Sequence, residues 1–432
     1  MRLHSIKLLK PLSVRDFGLL WTGMTVSFLG DGVYVVALAW QVYDISNAPT
    51  ALSVVGLAWT LPMVLFLLLG GVVSDRFDRR KVMIASDLIR GAAVVTIGVL
   101  SITGSLHLWN LIPLVAVFGV GEAFFGPAFG AIVPDIVPRE MLLEANSLDQ
   151  FVRPLTFQLA GPALGGLIVH IGGGAGPAFL VDAGTFAISA LCLLFVRTSR
   201  RPPERSEGGV RAAFAEVQEG FRFVKSETWL WATICAAGLT LLVFWGPFEV
   251  LVPFLVRNDL GGGADDLGII LASGGVGAVV AAVTMAQVGL PRHHVRFMYV
   301  CWLTAISSIA GFGFVNSIWQ ASIVGFFTGA GESAGLVVWA TMMHRLVPQA
   351  LLGRVTSLDW VVSTGLVPVS FALTGPLAAT FGVRETMIGA GVLGCLATLS
   401  FMFVPGLYDT ERDGRLQLVS GEPEENSESI SV

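Results

Sequence analysis

Apolar residues in this chain gather into long, nearly charge-free runs separated by short polar breaks. Windows of about 20 residues with little charge occur close to twelve times, and this is the length that crosses a roughly 30 Å hydrocarbon layer at about 1.5 Å per residue. They fall at 17–43, 51–73, 82–104, 109–131, 148–171, 177–197, 228–256, 264–288, 297–315, 318–340, 358–380 and 385–405. Backbone inside lipid must satisfy its own polar groups, so each run predicts a spanning α-helix. The expected fold class is therefore an all-α membrane protein with twelve transmembrane helices.

Composition excludes the soluble alternative. Hydrophobic residues make up 54% of the 432 and charged residues only 13%, against about a quarter charged in ordinary soluble domains; mean hydropathy is +0.75. The first run follows Arg2, Lys7, Lys10 and Arg15, as a secretory leader would, but it is too long for a leader core and lacks a small-residue cleavage site. It reads as an uncleaved first helix. Cys192, Cys235, Cys301 and Cys395 all sit inside apolar windows, without the close spacing of a metal or redox motif, and read as packing residues. No metal or cofactor is expected.

Lys and Arg set the orientation. Arg257 and Arg384 fall near one set of helix ends, while the N-terminal segment, alternate loops (Arg76, Arg79, Arg80, Lys81; Arg139; Arg197 to Lys225; Arg292, Arg296; Arg345, Arg354) and the tail (Arg412, Arg415) carry the loop charges. Basic short loops face the cytoplasm, so an even helix number with both termini cytoplasmic follows. Only Lys7, Lys10, Lys81 and Lys225 among the 26 basic residues are lysine, a bias that fits a high-GC bacterium and hence a prokaryotic inner (plasma) membrane. The expected organisation is an N-terminal six-helix half over 1–197, a cytoplasmic linker with an amphipathic helix over 198–227 (Ala212 to Val224, after Arg200-Arg201-Pro202-Pro203-Glu204), a C-terminal six-helix half over 228–405, and a disordered acidic tail over 406–432 with Glu422, Glu424, Glu425 and Glu428.

The second half repeats the first at an offset of 210 residues. Gly119, Gly121 and Glu122 recur as Gly329, Gly331 and Glu332, Val137-Pro138 as Val347-Pro348, Leu142 as Leu352, and Ser147-Leu148-Asp149 as Ser357-Leu358-Asp359. A repeat spaced by six helices keeps its membrane orientation. The halves should form two pseudo-symmetric bundles about an axis along the membrane normal, with the substrate path between them.

Between helices 2 and 3 stands Gly71-Val72-Val73-Ser74-Asp75-Arg76-Phe77-Asp78-Arg79-Arg80-Lys81. This closely resembles the signature loop of the major facilitator superfamily. Fixed charges in a short loop can pin a helix pair against a neighbouring helix end in one conformation and release it in another, and the resemblance implies this gating role for Gly71, Asp75, Arg76, Arg79 and Arg80. Asp78 stands where the family usually has Gly. Helix 5 carries Gly161-Pro162-Ala163-Leu164-Gly165-Gly166, similar to the superfamily's antiporter motif, which implies a flexible, closely packed segment at Gly161, Pro162, Gly165 and Gly166; Phe157 occupies one place where the motif has an upstream glycine. Gly30-Asp31-Gly32, Gly126-Pro127-Ala128, Val137-Pro138-Arg139-Glu140 and Ala145-Asn146-Ser147-Leu148 resemble the exporters of macrolides and of the siderophore enterobactin.

Intramembrane carboxylates cost about 2.5–3.5 kcal/mol on insertion scales and are functional candidates by default. Asp31 lies in helix 1, Glu122 in helix 4, Glu249 in helix 7 and Glu332 in helix 10, and the resemblance implies that these four helices line the central cavity. A carboxyl removed from water favours its neutral form, so such groups can hold a proton and release it when the cavity opens or a cationic substrate arrives. Asp31, Glu122, Glu249 and Glu332, with Arg153, are thus the expected proton-coupling and substrate-cavity residues; the bland alternative is acids locked to Arg153 or to backbone groups, and Asp182, near the outer end of helix 6, reads as structural. Family antiporters often carry an Arg in helix 4, four residues before a Gly; this chain has Val115 there, so Glu122 must act with another group. Aromatics near the acids (Trp40, Phe124, Phe125, Trp245, Phe248, Trp339) read mainly as packing or lipid-facing residues.

The function these features imply is a secondary active transporter, proton-coupled efflux of a small amphipathic compound (drug, macrolide-like or siderophore-like) by alternating access. A proton-coupled or facilitative importer of a small metabolite is the alternative on the same fold. A membrane-embedded enzyme or sensor is more distant, since the six histidines sit at predicted loop or helix ends and show no nucleophile and base constellation. A Gly-x-x-x-x-Gly-Lys-Ser/Thr phosphate loop is missing from the sequence, which argues against direct ATP drive. The expected partners are a small-molecule substrate, protons and the lipid bilayer, with no nucleic acid, and the expected oligomeric state is a monomer.

Overall fold

The computed structural model describes residues 7–197 and 210–412. Arg200 to Glu204 of the linker and the acidic residues beyond 412 lie outside the described residues. Twelve helices are long and apolar enough to cross a membrane: α1 Arg15–Ile45, α2 Pro49–Arg76, α3 Arg79–Ile102, α4 Leu108–Ile136, α5 Glu144–Ile171, α6 Gly176–Phe195, α7 Thr228–Asp259, α8 Ala264–Val288, α9 His294–Phe312, α10 Ile318–Leu346, α11 Leu351–Phe381 and α12 Val383–Met402. Each of the twelve apolar windows holds one of them.

Local chemistry explains where helices start and bend. Pro49 opens α2, where its missing N–H costs nothing. Asp78 caps α3, its carboxylate accepting the backbone N–H of Arg80 at 3.0 Å, so the residue that departs from the superfamily loop is a helix cap. Proline also widens two spans: the backbone loosens into π-type turns at Pro154–Ala160 in α5 and Pro247–Leu251 in α7, because a proline removes one ladder donor and crowds the preceding turn.

In the first six spans, α1 lies against α5 and α6, α2 runs along α4, and α3 sits between α4 and α6. In the last six, α8 runs along α10, α9 sits between α10 and α12, and α7 packs on α11 and α12. The two most extensive junctions between the sets are α2 with α11 and α5 with α8. Moving each helix six places along the chain turns the first pair into the second.

The apolar core is divided unevenly. Toward the end that carries Asn47 and Asn258, one cluster runs through both sets of spans, from Val36 and Tyr43 of α1 to Leu251 and Val256 of α7 and Phe371 of α11. Toward the opposite end the core separates into two clusters, one around Trp21, Met83, Phe129 and Leu193, the other around Trp229, Tyr299, Trp339 and Val355.

Outside the spans, Val210–Ser226 is a helix, and Glu219 on it binds Arg354 of α11 at 2.5 Å. The tail expected to be disordered from 406 instead starts with a short helix, Asp409–Arg412. Its Glu411 carboxylate accepts the backbone N–H groups of Val295 (2.7 Å) and Arg296 (3.0 Å). An anion at the N-terminus of α9 satisfies orphan donors and the helix dipole together, which holds this stretch in place.

Candidate functional site

Asp31 sits midway along α1 between two glycines, and each glycine admits a different neighbour. A Cβ on Gly30 would collide with the side chains of Thr185 and Asp182 on α6. A Cβ on Gly32 would stand 2.6 Å from the Phe157 carbonyl oxygen and 2.8 Å from Gly161 Cα of α5. The Gly-Asp-Gly sequence thus brings α5 and α6 hard against α1 on either side of the acid.

Around Asp31 the first six spans assemble a buried charge cluster. Arg90 of α3, with a side chain only 4% exposed, donates from Nη2 to Asp87 Oδ1 at 2.7 Å and places Nη1 3.9 Å from Asp31 Oδ1. Its guanidinium lies 4.4 Å from the ring centre of Phe125 and 4.5 Å from that of Phe186, an arrangement that holds a cation by aromatic faces. Asp182 of α6 is fully buried beside Asp31. Glu122 of α4 accepts the indole N–H of Trp59 on α2 at 2.7 Å and lies within electrostatic reach of Arg90. The glycines of α4 make this possible: Gly119 admits the Trp59 carbonyl, and a Cβ on Gly121 would meet Arg90 Cγ at 2.6 Å.

The other two predicted acids form a separate pair. Glu249 lies in the widened turn of α7 with Glu332 of α10 as its charged neighbour, and among the described residues neither makes an ion pair. Gly329 and Gly331, the repeat partners of Gly119 and Gly121, seat α8 and α9 against α10, so the sequence repeat is also a packing repeat. Arg153 of α5 binds Asp149 one turn away at 3.2 Å, covers the Phe28 ring of α1 at 4.3 Å, and is 47% exposed.

The glycine-rich stretch of α5 is a seam. Gly161 and Gly165 touch α1 at Gly32 and Val33, Gly166 abuts the start of α8 at Ala264 and Asp265, and the Pro162 carbonyl faces Gly268 of α8. Beyond it, α1 and α7 are latched: Tyr43 donates its hydroxyl to the Val250 carbonyl at 2.6 Å, Asn47 and Asn258 exchange amide hydrogen bonds at 2.6 and 3.0 Å, and Arg257 binds Asp44 at 2.6 Å. Arg384 instead anchors α12 to Asp259 at 2.8 Å.

At the opposite end, the start of α3 that follows the α2–α3 turn is tied, among the described residues, to the first six spans and the residue that ends α6. Arg79 binds Asp135 (2.6 Å) and the Ala131 carbonyl (2.8 Å) of α4, and Arg80 donates to the Val196 carbonyl at 2.7 Å. Gly71 has open space around it. Asp75 and Arg76 are exposed, and among the described residues neither makes an ion pair.

Comparison with known proteins places this geometry. A family model described as transmembrane secretion effector matches residues 6–418. The chain belongs to this family of major facilitator transporters. The chain is 27% identical to the multidrug efflux pump Tap of Mycolicibacterium fortuitum over 396 residues, covering 88% of this chain and 94% of that one. It is 23% identical to macrolide efflux protein A of Streptococcus pyogenes, covering 87% and 93%, and 28% identical to the enterobactin exporter EntS of Escherichia coli O1:K1, covering 82% and 83%. Its fold matches a bacterial homologue of the human lysosomal transporter Spinster with a TM-score of 0.69 at 16% identity, over 92% of this chain and 99% of that one, and the nucleoside transporter NupG with a TM-score of 0.64 at 11% identity, over 90% and 98%. The protein is a multi-pass membrane transporter of small molecules and not an enzyme.

Asp87 and Arg90 of the charge cluster are not among the sequence-predicted site residues, because positive-inside counting weighs basic residues in loops and passes over an ion pair inside a span. Their signal was nonetheless visible: an acid and a base three residues apart in the middle of an apolar window. Arg90 also answers the Val115 departure. Val115 is fully buried among apolar side chains, and the guanidinium near Glu122 comes from α3 instead of α4.

Proposed function

We propose that this chain is a secondary active exporter of the prokaryotic inner membrane, moving a small amphipathic compound outward in exchange for protons by alternating access and working as a monomer. Its two six-helix halves rock about the seam formed by α2 with α11 and α5 with α8, with both termini on the cytoplasmic side. On that orientation, the end latched by Asn47 and Asn258 is the outer one, and the cavity opens to the cytoplasm.

The observation that carries this reading is the uneven core: one apolar cluster joins the halves toward the latched end, and two separate clusters lie toward the other. Rigid halves joined at one end by replaceable polar contacts suit a rocking motion, because packed interfaces are bistable rather than continuously deformable. Asp31 and Glu122 serve as the proton-linked acids, Glu249 and Glu332 as carboxylates facing a cationic or hydrogen-bonding substrate, and Asp75 as a gating charge that finds its partner only when the cytoplasmic end closes. Efflux names among relatives that match over most of their length favour the outward direction.

Inside-out vesicles from an expressing strain and from its deletion parent test the proposal with a panel of macrolides, cationic dyes and catecholate siderophores. Export predicts that at least one compound accumulates in expressing vesicles when a proton gradient is imposed, and that an ionophore abolishes the accumulation. Gradient-independent movement of every transported compound, or movement only out of the vesicles, overturns it.

A further inference from the structure

The charge cluster extends beyond the acids that line α1 and α4. Four carboxyl groups, those of Asp31, Asp87, Asp182 and Glu122, surround the guanidinium of Arg90, the one buried arginine among the described residues. Arg153 is the nearest other cation, and it is half exposed and bound to Asp149. One guanidinium can balance one carboxylate. Leaving the remaining acids ionised would strand uncompensated charges in the apolar interior, which buried ion pairs do not tolerate.

The hydrogen bonding is incomplete in a way that fits this count. Asp87, 1% exposed, gives Oδ1 to Arg90 and has the Ser189 hydroxyl of α6 beside its carboxyl; Asp182, fully buried, leaves Oδ2 without a partner, and Asp31 Oδ1, Arg90 Nε and the hydroxyl of fully buried Tyr34 are also unpartnered. Buried polar atoms in native proteins are almost always satisfied, so a knot of four such atoms on α1, α3 and α6 marks a place where something is gained and lost. Proton exchange accounts for it with the groups present.

We propose that Asp87, Arg90 and Asp182 form, together with Asp31, a proton-exchange site enclosed within the first six spans, in which Arg90 switches its carboxylate partner between Asp87 and Asp31. This deepens the proton-coupled reading given above and rests on it. In the state described, Arg90 pairs with the Asp87 carboxylate, and Asp31, Asp182 and Glu122 hold protons. When Asp31 loses its proton to the opened side, its carboxylate draws Nη1 across the 3.9 Å gap. Asp87 then gives up its counter-ion and takes up one proton. One proton leaves, one enters, and the cluster's total charge is unchanged. Glu122 from α4, Arg153 from α5 and Tyr34 from α1 are the other titratable groups facing the site, and Glu122, held by Trp59, is the link from it to the cavity. Helices α3 and α6 become part of the coupling machinery, not merely its support.

The test is infrared difference spectroscopy of the purified full-length protein in lipid nanodiscs, stepped between acidic and alkaline buffer, where a protonated buried carboxyl gives its own C=O band. No substrate is needed, so the outcome is independent of whether export is the right direction. The wild type is expected to show a carboxyl band that bleaches as pH rises. Asp31→Asn and Asp182→Asn should each lose one component of it, and Arg90→Gln should gain one, from Asp87 freed of its partner. If an Asn variant cannot be purified as a monodisperse helical protein, Asp182→Glu serves instead, since it should shift the band and not remove it. A wild-type spectrum without the band, or a band unchanged in Asp31→Asn, Asp182→Asn and Arg90→Gln, overturns the proposal while leaving the export reading standing; failure of transport with the band intact does the reverse.

Discussion

The latch between α1 and α7 gives the sharpest quantitative expectation. Tyr43→Phe removes the donor from the Val250 carbonyl, a buried hydrogen bond of 2.6 Å whose net contribution is about 0.5–1.5 kcal/mol. Arg257→Gln removes an ion pair whose side chains are 28% and 39% exposed, which solvent screening limits to about 0.2–1 kcal/mol, with the lower half more fitting for so wet a pair. These contacts bridge the first six spans and the last six, so on the proposed rocking motion they are lost when the latched end opens, and only such differential contacts move a conformational equilibrium. Together the two changes should shift it by about 1–2 kcal/mol, roughly 5- to 30-fold toward the state open at that end. Paired spin labels on the latched ends of α1 and α7, in a background lacking the four native cysteines, read that population directly as the weight of the longer distance. An unchanged distance distribution in the double variant, with thermal stability also unchanged, would mean that the latch does not gate and that the seam alone sets the equilibrium.

Three further outcomes follow from particular contacts. Glu122→Gln keeps an acceptor for Trp59 but cannot exchange a proton, so coupled efflux should fall about tenfold, the factor given by roughly 1.4 kcal/mol, with expression held; full activity would make Glu122 a structural residue. Gly32→Ala has no room beside Phe157 and Gly161 and should cost about 1–3 kcal/mol by overpacking, seen as a lower unfolding temperature, whereas Gly71→Ala meets open space inside a helix and should be neutral or stabilising. Glu411→Ala strips the N-terminus of α9 of an acceptor for two N–H groups and should destabilise by about 1.5–3 kcal/mol, with faster proteolysis after residue 407 than in the wild type.

How much of this was readable from sequence depended on whether the relevant property is local. Span positions were, because roughly 20 apolar residues in a row can do little else in lipid, and each predicted window contains a helix. The 210-residue repeat was, because close helix approach needs small residues at fixed places, and Gly119, Gly121, Gly329 and Gly331 keep those places in both sequence and packing. The acids were legible one at a time. Their partners were not: Trp59 meets Glu122 across 63 positions and Tyr43 meets Val250 across 207, and no periodicity carries such pairings. Asp78 could be seen as a departure from the loop signature, but its role as a cap needed the backbone turn that follows it.

Positive-inside counting weighs Lys and Arg in loops because their cost in lipid keeps them out of spans. A basic residue inside a span is therefore the exception that this counting is built to ignore, and Arg90 is such an exception. Its cost is met by Asp87, by two aromatic rings and by the missing Cβ of Gly121. Asp31 is placed by the same device, since Gly30 and Gly32 let α6 and α5 close around it. Glycines beside intramembrane charges thus have a specific meaning in this chain: they bring neighbouring helices near enough to shield a charge from lipid, while leaving the charge itself short of a full set of partners.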